Sequence, residues 1–288
     1  MLTIQFGAIQ KFFASMFVGL LVAMPWAAIA GPNLPVPQPR QAEDEEGDDM
    51  LSEAQVNLIK VYEIHLDTEP RITVPTEVRE AFLDEHAESN DVPRGAEERR
   101  NFIRRAEGWE VLRVMFRVRA RSYYPQVTVE QEPDPLRTWR RSLHGSHVAE
   151  YFLRHFANKP IEGVEILYQG NAVDQIPLFV RGGGRDSDRI AYTNLYILTQ
   201  TTVNGVPIID RDSPAESLLL QWALPREDAR YAAPEVEGWR PRFRSTQHER
   251  YNDVLNWIES LIDANDGSNY GLRYVPPQFQ HAAGDQDD

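Results

Sequence analysis

The chain of 288 residues contains no cysteine. This absence excludes disulfide bonds, thiolate metal sites, thiol catalysis and the attachment of haem through cysteine thioethers. Lysine is almost as scarce, since Lys11, Lys60 and Lys159 are the only lysines and all other cationic side chains except histidine are arginines. No apolar run reaches the roughly 20 residues that a membrane-spanning helix needs. Any chemistry must therefore use histidine, carboxylates, hydroxyls, arginine or aromatic rings.

The first 30 residues have the pattern of a secretory signal peptide. Lys11 is the only charged residue among them, an apolar run covers residues 12–24, and Ala28-Ile29-Ala30 fits the small-x-small cleavage pattern. The alternative is an uncleaved N-terminal anchor. We expect export to the periplasm or the extracellular space, with no transmembrane segment after cleavage.

Acidic residues outnumber basic ones and give a formal net charge of -14 at pH 7. They concentrate in residues 43–49 and 285–288, which we interpret as solvated ends of the chain. A charge of this sign argues against nucleic acid or an anionic membrane as a partner. The expected partners are other exported proteins.

Apolar periodicity predicts a mainly α-helical fold with minor β-structure. Ser52 and Gln55 form a capping pair, and Ser213 with Glu216 forms a second one. The β-prone stretch 58–66 predicts a strand, and 71–74 predicts a second, short strand. Helices are expected at residues 77–86, 96–121 (as one long helix or a broken pair), 136–156, 187–200 and 249–262.

The only histidine cluster is His144, His147 and His155. On one helix these residues share a face, but His147 and His155 lie about 12 Å apart along the axis, too far for one metal ion. Only His144 and His147 are spaced to chelate together, which would suit a metal-dependent enzyme with a further carboxylate. Ligation of a non-covalent haem by His144, His147 or His155 is another alternative. The simplest interpretation is helix-surface histidines. Asp210 and Asp212, beside Pro214, are interpreted as turn residues rather than an acid–base pair.

Several short motifs follow one another along the C-terminal half. Their order resembles that in secreted proteins of planctomycete-type bacteria that carry a c-type-cytochrome-like domain. In that family a Pro-x-x-Ser-Leu-Leu-Leu motif precedes a His-Pro pair, and a terminal helix with Trp-Ile packs back on the domain. The matching residues here are Leu143-His144, 148–152, 192–198, 206–211, 214–220 and 255–258.

The resemblance implies a haem site that this sequence lacks. The family attaches haem through Cys-x-x-Cys-His. Leu153 and Phe156 stand near the cysteine positions and Ala157 near the histidine, while Ala233 stands where the family has the histidine of His-Pro. The resemblance therefore implies a cytochrome-c-like domain that has lost covalent haem, with no cofactor expected. We expect an exported, non-catalytic binding or structural module; the alternatives are electron transfer with non-covalent haem and a His-pair metalloenzyme.

The composition along the chain and the resemblance together predict an order of segments. Residues 1–30 form the signal peptide and 31–50 a disordered Pro-rich and acidic linker. Residues 51–134 form an N-terminal α+β region, 135–264 the cytochrome-c-like helical domain without a haem site, and 265–288 an acidic tail.

Overall fold

A computed structural model describes residues 49–144, 148–179, 187–262 and 270–280. The predicted signal peptide, nearly all of the linker, most of the acidic tail and His147 lie outside these residues. The fold is mainly α with minor β, as expected. Among the described residues, no helix combines the length and the apolar character needed to cross a membrane.

The first helix, α1 (Glu53–Tyr62), begins at the predicted capping pair. The Ser52 hydroxyl accepts a hydrogen bond from the backbone N–H of Gln55 at 3.3 Å, and the Gln55 side chain accepts one from the N–H of Ser52 at 2.8 Å. The strand predicted at 58–66 is wrong, because its first half belongs to this helix. The helical turn buries Val56 and Ile59 together, so packing outweighs the β preference of these residues.

Three further helices complete the first half: α2 (Thr76–Glu85), α3 (Ala96–Arg104) and α4 (Gly108–Arg117). The helix predicted at 77–86 is confirmed, and 96–121 forms a broken pair. The break follows from local chemistry, since the side chain of Glu110 accepts a hydrogen bond from the N–H of Glu107 at 2.8 Å and starts α4. A Cβ on Gly108 would lie 1.9 Å from the carbonyl oxygen of Ile72, so only glycine permits this approach.

Strands β1 (Ile72–Thr73) and β2 (Thr128–Val129) form a two-stranded antiparallel sheet. β1 confirms the short strand predicted at 71–74. Asn57 of α1 attaches this sheet to the helices. Its side-chain N–H donates to the carbonyl of Val127 at 2.7 Å, and its side-chain oxygen accepts from the N–H of Val129 at 3.0 Å.

The helix predicted at 136–156 is interrupted. It consists of α5 (Asp134–Thr138), a π-helical turn at Trp139–Leu143 and α6 (Val148–Phe156). Trp139 is fully buried in this turn and stacks on Trp257, with ring centroids 5.1 Å apart. The wide turn thus places a large side chain in the core at the expense of regular helix geometry.

The remaining helices include α7 (Ser187–Thr199) and α9 (Glu249–Ser260), which confirm the predicted helices at 187–200 and 249–262. Two short helices, α8 (Leu218–Gln221) and α10 (Pro277–Gln280), complete this half. Ser213 precedes a short helical turn (Pro214–Glu216), with Pro214 at its first position, but the Ser213 side chain makes no capping bond, so the predicted capping pair with Glu216 is wrong. The Asp210 carboxylate instead accepts from the N–H groups of Asp212 and Ser213 at 3.0 and 2.9 Å, which confirms its role in a turn.

A four-stranded antiparallel sheet, which the sequence analysis missed, lies between α6 and α8 in the chain. Two-residue turns with positive φ at both positions, Gln169-Gly170 and Asn204-Gly205, close its two hairpins. The spatial order is β4-β3-β5-β6, with strands β3 (Ile166–Tyr168), β4 (Asn171–Val173), β5 (Thr201–Val203) and β6 (Val206–Pro207).

A buried polar network connects the C-terminal end of α1 to Arg211, Ile262 and Tyr270 in the second half of the chain. Glu63, fully buried, accepts hydrogen bonds from the hydroxyl of Tyr270 at 2.7 Å and from the N–H of Ile262 at 2.9 Å. Arg211 forms an ion pair with the same carboxylate, with nitrogen and oxygen 2.7 Å apart. Segments from three parts of the sequence therefore meet at one carboxylate.

Candidate functional site

His144 lies in the core of the protein rather than on a helix surface. Its Nε2 is 2.9 Å from the side-chain nitrogen of Asn194, and its ring packs against Trp139 with centroids 5.5 Å apart. The side-chain oxygen of Asn194 already accepts from the N–H of Phe179 at 2.8 Å, which fixes its amide as the donor to His144. The lone pair that a metal would use is therefore engaged in a hydrogen bond.

His155 is half-buried on α6 and opens onto a cleft, with its ring 4.8 Å from that of Tyr151. Burial lowers the pKa of His155, and the positive charges of Lys159 and Arg154 lower it further. His147, the third histidine of the cluster, lies outside the described residues. Within the described ranges, no three His, Asp or Glu side chains form a group that could hold a metal ion.

Of the positions that the resemblance aligns with haem attachment, Phe156 belongs to an aromatic cluster with Phe152 and Trp222. Phe156 is fully buried, 4.6 Å from the ring of Trp222, and Phe152 stacks nearly parallel on the same indole at 5.5 Å. Ala157 and Ala233 are buried as well, whereas Leu153 is half-buried. None of the four side chains at these positions can form a thioether or ligate iron. These residues do not fit a covalently attached haem.

One face of α6 borders an open cleft of about 530 Å³. We call it the arginine cleft, because three arginine residues line it. Its opposite wall is a loop that follows Val236, and Gly238 in this loop has a φ of +73°. The lining residues are Tyr151, Arg154, His155, Glu237, Gly238, Arg240, Pro241 and Arg242.

Hydrogen bonds hold the loop of the arginine cleft on the aromatic cluster. The hydroxyl of Tyr151 donates to the carbonyl of Arg240 at 2.8 Å and lies 3.3 Å from the carbonyl of Trp222. The indole N–H of Trp239 also donates to the Trp222 carbonyl, at 3.1 Å. Burial raises the pKa of Tyr151, so its hydroxyl remains a donor at neutral pH. The backbone of the cleft is thus supported by the fully packed cluster beneath it.

The charge of the cleft is opposite in sign to that of the whole chain. Three arginines and one glutamate line it, whereas the chain carries a formal net charge of -14. Arg154 pairs with Glu150 at 3.4 Å, but both side chains are largely exposed and such a pair is weak. Guanidinium groups present several N–H donors in one plane and match the geometry of carboxylates. The cleft is therefore suited to bind an anion.

The sequence analysis identified one wall of the cleft and missed the other. His155 belongs to the histidine cluster that the sequence predicts to share one helix face. The sequence analysis predicts no helix or strand at Arg240-Pro241-Arg242. The signal of this segment was the alternation of arginines with proline in a segment of low apolar content, which typically lies at the surface.

No protein-family model, curated protein or solved structure matches the chain. The resemblance to secreted cytochrome-like proteins therefore rests on its short motifs.

Proposed function

We propose that the protein is an exported, non-catalytic binding module that holds a carboxylate-rich segment of another exported protein in the arginine cleft. The observation that carries the proposal is the concentration of Arg154, Arg240 and Arg242 in one cleft of a strongly acidic chain. An extended acidic segment can meet several guanidinium groups at once, whereas a monovalent ion meets only one or two.

We propose further that the helical part of this module derives from a cytochrome-c-like domain that has lost covalent haem. The support comes from the packing of Phe152 and Phe156 on Trp222. These rings lie at or next to the positions that the resemblance aligns with the haem-binding motif, and they pack on one another where the family would hold haem. The same rings support the loop of the arginine cleft, so the replacement of haem and the formation of the cleft are linked.

Each exposed ion pair contributes little, typically about 0.2–1 kcal/mol. Several together make a weak and strongly salt-dependent interaction, with dissociation constants on the order of millimolar. Binding of this strength suits reversible association between exported proteins.

The test uses a short peptide of alternating Glu and Gly, with the matching Gln/Gly peptide as the neutral control. The variant Arg240→Glu/Arg242→Glu reverses the charge of the cleft wall. A control variant, Arg100→Glu/Arg104→Glu, changes the net charge equally on the surface of α3. Titration calorimetry should show at least tenfold weaker binding of the acidic peptide to the cleft variant and less than twofold change for the control. Equal losses in both variants, or equal binding of both peptides, would contradict the proposal.

The absence of haem has a separate test. The natively exported protein should show no Soret band in its absorption spectrum. A Soret band that disappears when His144, His147 and His155 are replaced together would favour electron transfer by a non-covalent haem. Stoichiometric metal after purification without chelators would favour a metalloenzyme that uses His144 and His147.

A further inference from the structure

Residues 270–276 lie against the folded body just before the short helix α10, and we call them the C-terminal strap. Their burial alternates along the chain. The three residues at odd positions between the ends are exposed, and the buried ones are Tyr270, Leu272, Tyr274 and Pro276. A period of two is typical of an extended chain that presents one face to a groove.

Side chains of the body bind the strap through its backbone. The hydroxyl of Tyr196 donates to the carbonyl of Leu272 at 2.9 Å, and that of Tyr168 donates to the carbonyl of Tyr274 at 2.8 Å. The side-chain N–H of Gln169 also donates to the Tyr274 carbonyl, at 3.2 Å. Carbonyls two residues apart point to the same side of an extended chain. We call the surface formed by Tyr168, Gln169 and Tyr196 the strap groove.

The strap groove is better satisfied by a peptide than by an empty state. Tyr168 and Tyr196 are buried, and this burial raises the pKa of both, so their hydroxyls stay protonated and donate at neutral pH. A buried hydroxyl without an acceptor is costly. The two hydroxyls recognise backbone carbonyls, which every peptide has, so selectivity comes from the buried side chains of Leu272 and Tyr274.

The connection between the strap and the body has both ends at one carboxylate. The N–H of Ile262 and the hydroxyl of Tyr270 donate to the two oxygens of Glu63, at 2.9 and 2.7 Å. Residues 263–269 between them have the sequence Asp-Ala-Asn-Asp-Gly-Ser-Asn, which contains no large apolar side chain. Eight residues of fully extended chain reach roughly 28 Å. The connection is therefore long enough to carry the strap to a neighbouring molecule.

We propose that the strap groove accepts the strap of a second copy of this chain, so that two molecules exchange straps and form a symmetric dimer. The second copy offers the same carbonyls and the same buried side chains, so each internal contact is replaced by an identical one. This interaction surface is separate from the arginine cleft and does not depend on the function proposed for it.

The balance between the two arrangements depends on concentration. A short connection gives the internal strap an effective concentration on the order of millimolar, so a chain at micromolar concentration keeps its own strap. Exchange is favoured where many copies lie close together, or where the internal pairing is weakened. The second condition provides the test.

Two full-length variants test the exchange by complementation. Leu272→Asp places a charge at a buried strap position and should release the strap while leaving the groove intact. Tyr168→Phe/Tyr196→Phe removes two donors and should weaken the groove about tenfold or more while leaving the strap intact. At micromolar concentration, sedimentation velocity should show monomers of each variant alone and a 1:1 dimer in the mixture, because only the mixture contains an intact strap and an empty, intact groove. Monomers in the mixture, or equal dimer in either variant alone, would overturn the proposal.

A matched control introduces the same charge at an exposed position of the strap. Val275 is 49% exposed, so Val275→Asp should leave the strap in its own groove. Its mixture with Tyr168→Phe/Tyr196→Phe should contain at least tenfold less dimer than the mixture with Leu272→Asp. Equal amounts of dimer would show that association does not use the strap groove and would contradict the proposal.

The absence of cysteine permits a second measurement in chains that keep the strap and both tyrosines of the groove. One copy carries Gln169→Cys and the other Val275→Cys, next to the carbonyl that Gln169 contacts. Each chain then has a single thiol, so a bis-maleimide can join groove and strap only between two molecules. This product should form at least fivefold faster than the product of Gln169→Cys with Arg100→Cys, on the exposed surface of α3. Equal rates would overturn the proposal even if Leu272→Asp failed to fold.

Discussion

The buried network around Glu63 yields the sharpest prediction for stability. Its carboxylate is fully buried and has an ion pair with Arg211 and hydrogen bonds from Tyr270 and the N–H of Ile262. Arg211 also donates to the hydroxyl of Tyr270 and to the carbonyl of Ile262. Burial and the nearby charge of Glu63 raise the pKa of Tyr270, so its hydroxyl stays protonated and continues to donate.

Removing one partner of such a pair leaves an uncompensated buried charge, at a cost of about 3–5 kcal/mol. The destabilisation by Arg211→Met should lie at the lower end of this range, about 3 kcal/mol, because Tyr270 and the N–H of Ile262 still donate to Glu63. Glu63→Gln should cost about 2 kcal/mol, since the guanidinium remains partly exposed and keeps two acceptors. The double variant should cost about 2–3 kcal/mol, well below the sum of the two single costs, because it contains no unpaired buried charge.

Urea denaturation with linear extrapolation gives the free energy of unfolding of the wild type, the two single variants and the double variant. Equal m-values would show that the four transitions are comparable. Arg240→Met, at an exposed arginine, serves as the control and should change the free energy of unfolding by less than about 0.5 kcal/mol. A cost below about 1 kcal/mol for Arg211→Met, or additive costs in the double variant, would refute the idea that the ion pair acts as one unit.

Three further predictions concern pH and the backbone. Burial alone would raise the pKa of Glu132, but hydrogen bonds from Arg140 and Tyr192 outweigh it and hold this pKa below its usual value. The stability from this group is therefore present above about pH 4.5 and lost as pH falls through the lowered pKa, so Glu132→Gln should flatten the acid limb of a denaturation series; unchanged slopes would contradict this. Because the pKa of His155 is lowered, its protonation on acidification below about pH 6.5 adds a cation to the arginine cleft, and calorimetry should show tighter binding of the Glu/Gly peptide in wild type but not in His155→Gln. Arg119 has a φ of +55°, so Arg119→Gly should raise the free energy of unfolding by about 0.5–1 kcal/mol in urea titrations, and a loss of stability would argue against strain at this residue.

Local signals predicted those elements whose determinants lie within a few residues. The Ser52–Gln55 capping pair, the amphipathic helix α9 and the helix α7, which is buried from Ile190 to Leu198, are of this kind. The four-stranded sheet was missed although Asn204-Gly205 is a typical hairpin turn, because its strands have only two or three residues each. The strand predicted at 58–66 failed for the opposite reason: a β-prone composition was outweighed by a helix cap and by burial of one helical face.

The candidate sites were less accessible from sequence because each joins distant segments. His155 and Arg240 are separated by more than 80 residues, and only the fold places them on facing walls of one cleft. The histidine cluster was misleading because the spacing of histidines along one helix does not show which side chains of other helices contact them. The neighbour of His144 is Asn194 of α7, which turns a possible ligand into a buried hydrogen-bond acceptor.

The opposite signs of the local and the overall charge have a kinetic consequence. At physiological salt, charges more than about 8 Å apart are largely screened, so an approaching acidic segment meets the arginines of the cleft mainly at short range. At low salt the net charge of -14 acts over a longer distance and repels the same segment. Adding salt should therefore weaken the bound complex while reducing the repulsion during approach. The module would then discriminate among anionic partners by how well a short segment fits the cleft, because long-range attraction gives it no advantage in capturing them.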